Sequence, residues 1–147
     1  MSPAPSTALK RAAALWVVWG IVHLLAGVIV LSSDASGGFA AIANAVDPDS
    51  LRHADEPAGA GILNQHGWNL AWGGAATVIG ADFTWTANLT AIWVTAMVGG
   101  LLDIGYLLFV DVLGYVHSFP GALMTLNSAS AIGLSFWVRR PHRKARR

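Results

Sequence analysis

Asp103, His23 and His66 stand inside stretches of sequence that are otherwise apolar. An ionisable group in such a setting costs several kcal/mol in hydrocarbon unless it is paired or hydrated, so each is a candidate for function. Asp103 can act as a ligand, a proton carrier or a general acid–base. It can equally be a buried hydrogen-bond partner for His23 or His66. Two histidines on facing helices can clamp a haem iron. The same two with Asp103 can hold a non-haem iron or another divalent metal. There is no His-Glu-x-x-His and no repeated histidine spacing, and each imidazole can instead donate one hydrogen bond to a neighbouring helix. The cofactor therefore stays open between haem, a metal and none. Tyr106 follows Asp103 by three residues, on the same helical face. Its phenol can give a proton to a developing oxyanion, or point its hydroxyl toward a membrane interface. Gln65, Asn69 and Asn127 can orient a ligand's carbonyl or epoxide oxygen, or bind helix to helix; the second reading is the stronger for Asn127. Trp68 and Trp72 can wall an aromatic pocket or simply pack.

The elements that must position these groups follow from composition. Of 147 residues, 54% are hydrophobic and 12% charged, against about 25% charged in an ordinary soluble domain. Disorder is excluded, because it needs low hydrophobicity and high net charge. The absence of cysteine excludes disulfides, iron–sulfur clusters and thiolate chemistry. At roughly 20 residues per crossing, the length suits one domain of about four spans. These read as Ala12 to Leu31, Gly61 to Gly80, Asn88 to Asp111 and Phe119 to Val138. The expected fold is all-α, an integral membrane four-helix bundle. The first span resembles a signal peptide in its Lys10–Arg11 flank, but its apolar run exceeds the usual 7–15 residues of such a segment.

Charge sets the direction. Lys10 and Arg11 precede the first span, and Arg139, Arg140, Arg143, Lys144, Arg146 and Arg147 follow the last; only Arg52 lies between. Positive flanks stay cytoplasmic, so both termini are expected inside a multi-pass cell-membrane protein. The loop from Ser32 to Ala60 is then outside, with Asp34, Asp47, Asp49, Asp55 and Glu56. The turn at Asp82–Trp85 is inside. Trp85 and Trp137 fall at the inner boundary and Tyr115 at the outer one. The basic tail, 139–147, reads as a topology signal more than as an anionic-lipid site.

Helical spacing gives each span a face. Trp16, Gly20, His23 and Gly27 form one stripe on the first. Gln65, His66, Asn69, Gly73, Ala76, Thr77 and Gly80 form one on the second, with Leu63, Leu70 and Val78 opposite. The third carries Asn88, Ile92, Thr95, Gly99, Asp103 and Tyr106. The fourth carries Gly121, Thr125, Ser128 and Ser135, with Asn127 beside them. Counted from the outer ends, His23, His66, Asn69, Asp103, Tyr106, Thr125 and Asn127 lie at similar depth, most of them roughly 8–12 Å in. Their convergence would make one polar pocket in the outer half of the molecule. Such a pocket suits a small hydrophobic ligand or prosthetic group, in an isomerase or redox enzyme. A non-catalytic subunit with structural polar contacts, or a small proton-coupled transporter using Asp103, remains open beside it.

The chain carries no Walker loop, Rossmann fingerprint or Gly-x-Ser-x-Gly elbow. No aromatic–basic stripe points to nucleic acid. Glycine-rich faces suit a homo-oligomer in the lipid bilayer. The overall pattern resembles the small four-span integral membrane proteins of GC-rich bacteria, which implies a fold and no activity. Two segments are more specific. Gln65-His66-Gly67-Trp68-Asn69 resembles the His-Ser-Gly stretch, with an Asn further on, of the styrene oxide isomerases. Ile104-Gly105-Tyr106-Leu107-Leu108-Phe109 resembles their Gly-Phe-Tyr-Leu-Phe stretch. Those are small four-helix membrane enzymes that hold haem b between subunits. The resemblance implies that His66 ligates haem and that Tyr106 orients an epoxide. The chain departs from the family in two places: Asn69 follows its histidine more closely, and Asp103 stands nearer its tyrosine.

Overall fold

A computed structural model describes residues 6–42 and 56–137. Asp47, Asp49, Arg52, His53, Asp55, Val138 and the basic tail lie outside the described residues. Within them the chain is all-helical, with five helices and no strand.

Helix α1, Thr7–Ser32, starts on Ser6, whose hydroxyl accepts from the Leu9 amide. This satisfies one of the amides that a first helical turn leaves free. Helix α2, Ala35–Ile42, is an element the hydropathy pattern did not reveal. It forms because Asp34 Oδ1 accepts from the Gly37 amide at 2.6 Å, starting a helix inside the segment read as a loop. Helix α3, Pro57–Trp85, is longer than its expected span at both ends. Pro57 opens it, since a proline there loses no hydrogen bond. The turn expected at Asp82–Trp85 is instead the last helical turn, and reversal comes at Thr86–Asn88, where Ala87 takes φ 63°. Helix α4, Leu89–Tyr106, begins on Asn88, whose side chain accepts from the Ala91 amide. Asn88 is therefore a cap, not a member of the polar stripe. The third segment leaves α-geometry after Tyr106 and ends in a π-helical turn, Leu107–Asp111. Helix α5, Gly121–Trp137, closes the chain.

The four long helices pack in ring order: α1 on α3, α3 on α4, α4 on α5, and α5 back on α1. The α1–α3 seam is the tightest. A Cβ on Gly27 would stand 2.5 Å from the Gly67 carbonyl and the Ala71 amide, and one on Gly74 would stand 2.5 Å from the Gly20 carbonyl. Glycines seven residues apart on each helix thus meet their antiparallel counterparts, and only a missing side chain permits that approach. Trp16 and Trp19 reach from α1 across the interior. Trp16 packs on Gly99 of α4, and the two indoles meet edge to face at 6.0 Å. With Ala13, Ala81 and Ala131 they form the core.

The outer faces are apolar. Val18, Ile62, Leu101 and Leu126, one from each long helix, are all more than half exposed. Two segments, Thr7–Ser32 and Leu89–Asp111, are long and apolar enough to cross a membrane.

Candidate functional site

Most buried hydroxyls settle their hydrogen bonds within their own helix. Thr77, Thr84 and Ser135 donate to the carbonyls of Gly74, Gly80 and Ala131, a common solution for such residues in helix interiors. Asp103 is different, because no backbone donor is within its reach in mid-helix. Its Oδ2 accepts from the Trp19 indole Nε1–H at 2.8 Å. Ser128 of α5 adjoins the same carboxyl. A buried indole needs an acceptor, since it is a donor only, and Asp103 supplies one across the interior.

His23 completes the group. Its Nδ1 lies 2.8 Å from the carbonyl oxygen of Trp19. A carbonyl only accepts, so Nδ1 bears the hydrogen. Nε2 is thereby turned to Asp103 Oδ1, 3.7 Å away. That separation is an ion-pair distance, too long for a hydrogen bond. The Trp19 indole also stacks on the imidazole, with centroids 3.6 Å apart and planes 16° apart. The ring is therefore held at one edge and one face, while its Nε2 edge is open.

With Nδ1 protonated, an unprotonated Nε2 would set its lone pair against those of a carboxylate. One proton held in common by the two side chains would remove that repulsion. Histidinium with carboxylate, or imidazole with carboxylic acid, each leaves no net charge, the cheaper condition in an apolar interior.

This pair forms part of the wall of a cavity of about 300 Å³, near the lower end of small-molecule sites at roughly 300–1,000 Å³. His66 from α3 and Tyr106 from α4 share the wall. The rest is almost wholly apolar: Val22, Leu25, Ala26 and Ile29 of α1, Leu70, Leu102 and Met124, with Ala41 and Ile42 of α2 at one end. Four of the expected site residues, His23, His66, Asp103 and Tyr106, thus meet at one cavity.

The other three do not line it. Gln65 is exposed on α3. Asn69 Oδ1 accepts from Trp72 Nε1 on its own helix at 3.1 Å. Asn127 Nδ2 donates to the Leu15 carbonyl at 3.0 Å, tying α5 to α1. The cause on α3 is a rotated face. The helix buries Gly67, Leu70, Gly73, Gly74, Thr77 and Gly80, because Gly67 and Gly74 seat it on α1 while Gly73 and Gly80 face α4. Leu70, expected opposite the polar stripe, therefore lies inside and borders the cavity. Gln65 and Asn69 are carried to the side. Sequence reasoning missed Trp19, whose position three residues after Trp16 and four before His23 could have marked it as a neighbour of both.

Among the described residues no three His, Cys, Asp or Glu side chains converge to hold a metal ion, so the arrangement of His23, His66 and Asp103 as a metal triad is not formed.

No protein-family model, curated protein or solved structure matches this chain.

Proposed function

We propose that the chain is an integral membrane four-helix bundle, both termini cytoplasmic, whose outer half binds a small apolar molecule bearing one polar group. The observation that carries this reading is an apolar cavity broken by four polar side chains from three helices, two of which, His23 and Asp103, stand 3.7 Å apart. Exposed Val18, Ile62, Leu101 and Leu126 suit helices surrounded by lipid. Helices α3 and α5 serve as the second and fourth spans.

Asp103 and His23 act on the bound molecule as acid and base. The pair gives its proton to the ligand's polar atom and takes a proton back from a second atom. Atoms and charge then balance with no other reactant, so isomerisation is the reaction class that fits best. Tyr106, on the same wall, offers a second donor to an oxygen that gains charge.

A non-catalytic subunit is the second reading, favoured by the Trp19–Asp103 bond, which joins α1 to α4 whether or not anything binds. Mass spectrometry of apolar molecules retained by the purified protein separates the two. Ala26→Phe, which fills the cavity from α1, should empty wild-type protein of a retained molecule while leaving the fold intact. Identical extracts from the two proteins would favour the subunit.

A further inference from the structure

Beyond the cavity, three buried polar atoms stand out among hydroxyls and carboxyls that are otherwise bonded. Both carboxylate oxygens of Asp111 and the hydroxyl of Thr125 are shielded from solvent, with no hydrogen-bond partner among the described residues. They belong to one seam. Asp103, Tyr106 and Asp111 follow each other along α4 and its π-helical turn. Gly121, Thr125 and Ser128 follow each other along the facing side of α5, at spacings of four and three that keep them on one helical face.

The two rows run in opposite directions and match at both ends. Asp111 Oδ1 lies 3.2 Å from where a Cβ on Gly121 would stand, beside the Tyr106 ring. Ser128 adjoins Asp103 at the other end. Thr125 falls between them. The π-helical turn contributes here, since the extra residue it admits re-aims the side chains that follow. Ser128 donates to the Thr125 carbonyl at 3.1 Å, whereas the Thr125 hydroxyl, on the same helical face as Gly121 and Ser128, has no partner among the described residues. A hydroxyl that can both donate and accept, set between two carboxyls, is what a hydrogen-bonded chain through bridging water requires.

We propose that the α4–α5 seam is a proton path, running from Asp111 through water and Thr125 to Asp103 and its partner His23. It rests on that pair being the proton-holding group of the reading above, but on no ligand. A proton enters at the Asp111 carboxylate and is passed by the Thr125 hydroxyl, which gives up its own hydrogen as it accepts another. It arrives at Asp103, so the pair exchanges its proton along the seam without opening the cavity. The titratable neighbours of the pair are His66 on α3 and Tyr106 on α4; α5, Gly121–Trp137, carries no titratable side chain.

The Trp19 indole N–H reports on this path, because its partner is Asp103. Its hydrogen–deuterium exchange can be followed by NMR in lipid nanodiscs without any added ligand. Thr125→Val removes the hydroxyl at constant shape, and Asp111→Asn removes the entry carboxylate. Each should slow Trp19 exchange at least tenfold, with its chemical shift held, and Thr125→Ser should restore the wild-type rate. Unchanged exchange in both variants, with slowing instead in the cavity-filling Ala26→Phe, would place proton access in the cavity and overturn the proposal. A failure of the Asp103–His23 pair itself would be seen separately, in the His23 ring nitrogens.

Discussion

The indole of Trp19 donates to Asp103 at 2.8 Å across 84 residues of sequence. The same tryptophan accepts from His23 through its backbone carbonyl and stacks on the imidazole. One residue thus holds both His23 and Asp103.

Trp19→Phe removes the donor and keeps most of the packing. A hydrogen bond to a group that can be charged contributes about 1.5–3 kcal/mol, so the variant should lose stability in that range. Asn127→Leu breaks a neutral link between helices, of the kind that averages about 0.6 kcal/mol in membranes. Denaturation of the two variants in detergent should rank them in that order. Equal losses would mean that Trp19 is a packing residue only.

The glycine seam makes a sharper contrast. Gly27→Ala sets a methyl group 2.5 Å from backbone atoms of α3, which cannot move aside as a side chain does. Overpacking of this kind costs about 1–3 kcal/mol. Gly133→Ala meets nothing within 4 Å and should be neutral. Melting temperatures of the two variants check the pairing of α1 with α3.

Orientation can be tested without background, because the chain has no cysteine. Thr86→Cys, in the α3–α4 turn, should react with a membrane-impermeant thiol reagent only from the cytoplasm. Tyr115→Cys, between the π-helical turn and α5, should react only from outside. Lys10 lies 5.3 Å from the Trp85 ring, so the basic N-terminal flank and the α3–α4 turn share one end. Labelling of both cysteines from the same side would reject the four-span reading.

Much of this was legible in the sequence, for identifiable reasons. The 3.6-residue period places Trp16, Gly20 and Gly27 on one buried face of α1, and Ile92, Thr95, Gly99 and Asp103 on one buried face of α4. The same counting put His23, His66, Asp103 and Tyr106 at one level, and they line one cavity. The reading failed on α3, where polarity was used to choose the inward face. Gly67 and Gly74 choose it instead, since close helix approach there outweighs the placement of two amides. Gln65 and Asn69 rotate away as a result. Helix α2 was illegible because it begins on a local contact, Asp34 to Gly37, and not on any apolar period. Trp19 escaped notice because an indole counts as apolar in a hydropathy scan, while its N–H decides where Asp103 is bonded.

The proposed acid–base role requires His23 and Asp103 to hold one proton in common at the cavity wall. The most direct test is ¹⁵N NMR of the His23 ring in lipid nanodiscs, with Asp103→Leu for comparison. A protonated Nδ1 is expected in both proteins. A wild-type Nε2 signal displaced by the proton held with Asp103, moving to that of a free, unprotonated nitrogen in Asp103→Leu, is also expected. A His23 that carries its hydrogen on Nε2 alone, with Nε2 indifferent to the loss of Asp103, would contradict it.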